Sequence, residues 1–173
     1  MERGHLTLIL GGEKSGKSDY ALRLLARAPG PGLFVATGRA LDAGFRRQIQ
    51  AHRAGRGPGI PVREVDTALP EALADAAGHY GTVLVDSLDF WLFACRRAGD
   101  EPGRVAALLA ALDGMGPTRV IIVSCEVGLG PVAPTAEVRA FVRSLGALNR
   151  QLAQRSARAV LVVAGRALAL PED

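Results

Sequence analysis

The sequence predicts an α/β fold in which a mostly parallel sheet is flanked by helices, on three observations. Short apolar runs rich in β-branched residues recur along the 173 residues at Leu6 to Leu10, Leu33 to Ala36, Val83 to Val85, Val120 to Val123 and Val160 to Val163. Segments with apolar residues at helical spacing separate them, and strand alternating with helix is the pattern of a parallel sheet with helical crossovers. The third observation is GGEKSGKS at Gly11 to Ser18, a full match to G-x-x-x-x-G-K-[ST] between the first strand and the first helix. Length suits one domain, and no linker or internal repeat divides the chain. A single three-layer nucleotide-binding domain of the P-loop NTPase type is expected.

The elements follow in order. Leu6 to Leu10 reads as a buried parallel strand, and the helix from about Lys17 carries Tyr20, Ala21, Leu24, Leu25 and Ala28 on one face before Pro29-Gly30-Pro31-Gly32 ends it. The second strand ends in Val35-Ala36-Thr37-Gly38. A helix is expected from about Asp42, a possible N-cap residue, to Arg53, with Gly55 as its stop. Gly55 to Pro61 is the conspicuous loop, and Val62 to Val65 is a short extended run in which Glu64 reads as a solvated edge carboxylate. Thr67 is expected to cap a helix through Ala77, ended by Gly78. Leu88, Trp91, Leu92 and Cys95 fall at i, i+3, i+4 and i+7, a buried helix face. Val105, Leu108, Leu109 and Leu112 repeat that spacing after Pro102, which suits a first turn. The longest helix follows Pro134, with Val138, Phe141, Val142, Leu145, Leu148 and Leu152 on one stripe. These stripes read as core rather than as cofactor sites.

Composition narrows the function. A net charge of +4 and a pI near 9.7 raise the question of nucleic acid. The basic residues, however, are arginines spread along helices, such as Arg139, Arg143, Arg150, Arg155 and Arg158, with no basic run interleaved with aromatics. A solvated helix face is the better reading, and no nucleic-acid partner is expected. Cys95 and Cys125 make neither a disulfide framework nor a metal site. The N-terminus runs directly into a strand, which leaves no room for a signal peptide, and no apolar run approaches the ~18 residues that span a bilayer. A cytoplasmic enzyme is expected.

The chemistry starts at the glycine-rich loop. Gly11, Gly12, Glu13, Lys14, Ser15, Gly16, Lys17 and Ser18 are the expected nucleotide-binding residues. Glycines let the backbone turn around phosphate oxygens, N–H groups and the helix N-terminus supply positive potential, Lys17 adds a point charge, and Ser18 can ligate Mg²⁺. Asp86 ends an apolar strand, where a carboxylate can hold Mg²⁺ or cap the next helix; the Mg²⁺ role is favoured, with Asp89 a weaker candidate. Thr37 and Gly38 end the second strand and should face the same cleft, since ligands of open parallel sheets bind beyond the carboxyl ends of the strands. His52 is ambiguous by spacing: it can pack beside the apolar stripe of its helix, or, with Arg53 and Arg56 nearby, attack phosphorus as a neutral imidazole. A small-metabolite kinase and a nucleotide-hydrolysing switch both remain compatible with these residues.

Taken together, GGEKSGKS, VATG after the second strand, RQIQAHRAGR around His52, VLVDSLDFWL, CEVGLGPV from Cys125, the R-x-F of Arg139 to Phe141 and the closing GALNRQLAQRSARAVLVVAG resemble the bifunctional adenosylcobinamide kinase/adenosylcobinamide-phosphate guanylyltransferase family of cobalamin biosynthesis. The resemblance covers nearly the whole chain. It implies phosphorylation of adenosylcobinamide by GTP or ATP, then transfer of GMP from GTP through a GMP-histidine intermediate to adenosylcobinamide phosphate, with Mg²⁺. By segment-wise match His52 is the implied nucleophile and Lys17 acts in both reactions. Ala36, Thr37, Gly38, Arg53, Ala54, Gly55, Arg56, Glu64 and Asp86 join the loop at the nucleotide, and a homo-oligomer, a trimer, is implied. The chain departs from the family pattern at Ala94 and Cys125, where asparagines are often found, and in having Val132-Ala133-Pro134 for V-P.

Overall fold

A computed structural model of the chain describes residues 5–37, 59–130 and 135–171. Seven strands form one sheet: β1 (Leu6–Gly11), β2 (Gly32–Thr37), β3 (Val62–Val65), β4 (Thr82–Asp86), β5 (Arg119–Cys125), β6 (Arg158–Val163) and β7 (Arg166–Leu170). Their order is β3-β2-β4-β5-β1-β6-β7, parallel from β1 to β6, with β7 antiparallel to β6. The described helices are α1 (Lys17–Arg27), α2 (Leu69–Ala76), α3 (Leu88–Arg97), α4 (Glu101–Asp113) and α5 (Ala136–Arg155), with a 3₁₀ turn at Val127–Leu129.

Alternation along the strands builds two cores. Leu6, Leu8, Leu10, Val83, Val85 and Ile122 face α2 to α5, where they pack on Leu73, Trp91, Leu108 and Leu148. Ile9, Phe34, Leu84, Val123 and Val160 face Ala21 and Leu25 of α1. Because both faces are covered, the central strands read as near-continuous apolar runs, which is why all five expected strands are present. The buried face of α3 is the one its spacing predicts, with Leu88, Trp91, Leu92 and Cys95 all inaccessible.

Two expectations are corrected and one strand is added. Thr67 does not cap α2: the helix starts at Leu69 with Ala68 in the cap position and no side-chain cap. The Thr67 carbonyl instead accepts from Trp91 Nε1 at 3.1 Å and from Arg104 Nε and Nη2 at 3.1 and 2.6 Å, so the residue is committed to tying α2 to α3 and α4. Val138 belongs to the stripe of α5 by spacing yet is exposed; it lies in the first turn, where Thr135 Oγ1 accepts from its backbone N–H, ahead of the buried part of the stripe at Leu145, Leu148 and Leu152. Strand β7 has no counterpart among the expected runs. Its pairing of Val163 with Arg166 leaves a two-residue turn, Ala164-Gly165, with φ of +49° and +75°. That is the hairpin geometry whose twist matches paired strands, but alanine is not a residue that announces it. The expected helix at Asp42 to Arg53, with Gly38, His52, Arg53, Ala54, Gly55 and Arg56, lies outside the described residues.

Candidate active site

The loop between β1 and α1 is shaped by contacts that specify its residues. Gly11 ends β1 where a Cβ would come within 2.6 Å of both the Val162 carbonyl and Ser15 Oγ, so a side chain cannot enter without moving backbone. Gly16 precedes α1 with φ +93°, a conformation that favours glycine. No side chain caps the helix there, which leaves its first N–H groups facing the cleft as anion donors. The β6–β7 turn braces the loop: Gly165 N–H donates to the Ser15 carbonyl at 2.8 Å. Lys17 is buried, 9% exposed, and its Nζ donates to the Gly12 carbonyl at 3.0 Å. An ammonium so far out of water requires partners, and one carbonyl leaves donors to spare. Ser15 Oγ is buried without a hydrogen-bond partner. Both features suit a loop that receives anionic oxygens.

The loop opens into a cavity of about 800 Å³ at the carboxyl ends of the strands. Ser18, Ala36, Asp86 and Asp89 line it. Sheet register aligns Glu64, Ala36 and Asp86 across β3, β2 and β4, so their side chains share the α1 face. Ala36 and Asp86 reach the cavity; Glu64, exposed on the edge strand, is outside its lining. Thr37 points to the other face, fully buried, and its hydroxyl donates to the Ser87 carbonyl. Its side chain therefore fixes the end of β2 against the β4–α3 turn rather than opening to the cavity. Ser87 Oγ in turn donates to Asp89 Oδ1 at 2.6 Å, which orients that carboxylate.

The opposite wall comes from the end of β5. Cys125 lies beside Lys17 and Asp89, and burial, reinforced by the Asp89 charge, pushes its thiol up to about 11 although Lys17 acts the other way. Its thiolate is disfavoured near pH 7, which makes it a poor nucleophile there. Asn149 of α5, 4% exposed, organises this wall: Ser124 Oγ donates to its Oδ1 at 2.7 Å, and its Nδ2 donates to the Cys125 carbonyl at 3.0 Å and to Glu126 Oε2 at 3.3 Å. Glu126, with Val127 and Leu129 of the 3₁₀ turn that follows it, then lines the cavity, as does Phe90 of α3. Sequence reasoning assigned no role to Asn149, Glu126 or Phe90. The C-E-V-G-L-G run was the available signal, but a turn of mixed polarity says nothing of what it faces until β5 is set beside β1.

Among the described residues no three His, Cys, Asp or Glu side chains gather as a metal cage. Mg²⁺ bound with a nucleotide needs none, since phosphates and waters supply most of its oxygens. Ser18 and Asp86 line the cavity and present a hydroxyl and a carboxylate, the ligand types that would complete such a set.

The family described as cobinamide kinase / cobinamide phosphate guanyltransferase matches residues 7–170. The chain belongs to that family of enzymes. It is 38% identical over 162 residues to the bifunctional adenosylcobalamin biosynthesis protein CobP of Pseudomonas aeruginosa, covering 91% of this chain and 92% of that protein. It is 32% identical over 178 residues to the bifunctional adenosylcobalamin biosynthesis protein CobU of Salmonella typhimurium, covering 92% and 96%. In shape it is similar to a type III secretion system ATPase, at TM-score 0.56 and 14% identity, covering 90% of this chain and 50% of that one. It is also similar to a KaiC-like protein of Pyrococcus horikoshii, at 0.50 and 14%, covering 90% and 69%. At that identity the likeness is one of fold, and this chain spans about half the length of the secretion ATPase. Among the described residues no helix is long and apolar enough to cross a membrane.

Proposed function

We propose that this chain phosphorylates adenosylcobinamide with GTP or ATP, and then transfers GMP from GTP to the adenosylcobinamide phosphate through a GMP–His52 intermediate. In the first reaction the acceptor hydroxyl oxygen attacks the γ-phosphorus, the bond from that phosphorus to the β-bridging oxygen breaks, and the hydroxyl proton leaves to solvent. In the second, a nitrogen of His52 attacks the α-phosphorus and pyrophosphate departs. The acceptor's phosphate oxygen then displaces the imidazole, forming adenosylcobinamide-GDP. Covalent catalysis divides one difficult displacement into two easier ones.

The observation that carries this reading is the cavity itself in a member of this family: a phosphate loop with a buried lysine, a strand-end carboxylate, and an apolar rim on one concave surface. Lys17 and the uncapped N-terminus of α1 bind and orient the triphosphate and offset charge on the departing oxygens. Mg²⁺, held by Ser18 and Asp86, would supply further charge neutralisation at the phosphates. Phe90, Val127 and Leu129 give the rim an apolar character suited to a large, partly apolar acceptor. Glu64, Ala36, Thr37, Gly38 and Arg53 to Arg56 are assigned to the nucleotide on the family pattern. A cytoplasmic homo-oligomer, a trimer, belongs to the same reading.

Incubation with α-labelled GTP and Mg²⁺ tests it. Acid-labile, base-stable label on the protein, lost in His52→Ala, is the expected result. No labelled protein under turnover conditions removes the guanylyl route and leaves a single-activity kinase. Nucleotide consumption that ignores cobinamide altogether would remove both activities and leave a hydrolase.

A further inference from the structure

A second pocket, this one basic, lies at the other end of the sheet. The first residues of the parallel strands alternate so that Thr82 of β4, Arg119 of β5, Thr7 of β1 and Arg158 of β6 share the α1 face, with Thr82 in register with Arg119 and Thr7 with Arg158. His5 precedes β1, its carbonyl bonded to the Val120 N–H, and Arg27 closes the group from the last turn of α1. Together they line a cavity of about 270 Å³ beneath the C-terminal end of that helix. It lies at the amino ends of the strands, opposite the nucleotide cavity.

Its side-chain charge is one-sided and is set against only the partial negative charge of the α1 C-terminal carbonyls. Three arginines and a histidine line it, and no carboxylate does. Among the described residues neither Arg27 nor Arg119 enters an ion pair, and the polar contact of Arg158 is from its Nη2 to the Tyr20 hydroxyl at 3.0 Å. An arginine at the end of α1 is favoured by the helix dipole, but Arg119 and Arg158 stand at strand starts where no such field acts. Thr82 adds an independent sign. It is 1% exposed and lines the pocket, and its hydroxyl is buried without a hydrogen-bond partner. A buried hydroxyl of this kind destabilises the fold unless something satisfies it.

We propose that this pocket binds a small, multiply charged phosphate anion, with the guanidinium groups of Arg27, Arg119 and Arg158 around it and the Thr82 hydroxyl donating to it. The volume, about a third of the nucleotide cavity's 800 Å³, suits inorganic phosphate or the phosphate end of a small metabolite. Guanidinium forks match phosphate oxygens with paired donors, which three exposed arginines around one recess provide.

Titration of the full chain with inorganic phosphate, followed by backbone amide resonances, tests this. The expected result is a saturable shift at Thr82, Arg119 and Arg158 that is separate from any shift at Gly12 to Ser18. The double variant Arg119→Gln/Arg158→Gln should abolish the first set and leave nucleotide affinity within about twofold, since those residues are remote from the loop. Thr82→Val should weaken phosphate binding about fivefold or more while not lowering the unfolding midpoint, because it removes an unsatisfied hydroxyl at constant shape. Shifts confined to the phosphate loop, a response that never saturates, or equal binding in the double variant would overturn the proposal. A phosphomonoester competing where sulfate does as well would identify the anion's charge, not its phosphate chemistry, as what is recognised and would overturn the phosphate assignment.

Discussion

Replacing Asn149 with leucine isolates the polar joint behind the cavity wall. The two side chains are close in size, so the change tests hydrogen bonding more than packing. Ser124, inaccessible to water, would lose the acceptor of its hydroxyl, and a buried group left unpaired costs about 1–3 kcal/mol. The Cys125 carbonyl loses a donor at 3.0 Å, a net of about 0.5–1.5 kcal/mol. The 3.3 Å contact to the Glu126 carboxylate is long and adds little. The expected loss is therefore about 2–4 kcal/mol, read as a fall in the urea midpoint with unchanged slope. Ser124→Ala in the same background removes the stranded hydroxyl and should recover about 1 kcal/mol or more, a coupling that two independent sites would not give. Nucleotide affinity should fall as well, since the wall residues Glu126 to Leu129 follow the carbonyl that Asn149 holds. A cost below about 0.5 kcal/mol, or a double variant no more stable than Asn149→Leu alone, would refute the reasoning.

Three further outcomes are expected. Lys17→Ala should weaken nucleotide binding about 10–100-fold, the worth of a charge-assisted contact of about 1.5–3 kcal/mol, and should depress both proposed reactions; unchanged rates for both would contradict the shared triphosphate site. Ala164 sits at φ +49°, so Ala164→Gly should relieve about 1–2 kcal/mol of backbone strain against about 0.5–1 kcal/mol of chain entropy, raising Tm by about 1–4 °C; a lower Tm would show that the turn is unstrained. For Cys125, pushed up to about 11 mainly by burial, iodoacetamide should react slowly at pH 8 and accelerate as pH rises through that value. The sign is that of an acid whose charged form is disfavoured: the unfolded thiol ionises first, so folding loses stability above the ordinary thiol range. A rate midpoint near 8.5 would contradict the burial argument.

Much of this molecule was legible in its sequence because the relevant physics is local. Strands covered on both faces must be apolar along their length, so β1, β2, β4, β5 and β6 could be found without knowing their order. A backbone that wraps phosphate needs glycines at fixed offsets from a lysine, so Gly11 to Ser18 could be recognised from eight residues. Asp86 was legible for the same reason, as a carboxylate at the end of an apolar run.

What the tertiary structure decided depends on pairings between distant segments. Thr67 reads as a cap, yet its carbonyl is taken by Trp91 and Arg104, which arrive from helices far along the chain. Thr37 and Ala36 are neighbours in sequence, and only the pleat sends one into a buried bond with Ser87 and the other toward the cavity. The short strand β7 carries a weak local signal, but its turn donates the bond that braces the phosphate loop. Likewise Arg27, Arg119 and Arg158 read singly as solvated charges; strand register and the end of α1 gather them around one recess. Local rules fix which elements form and which loop meets a nucleotide, whereas sheet order and register determine which side chains share a cavity.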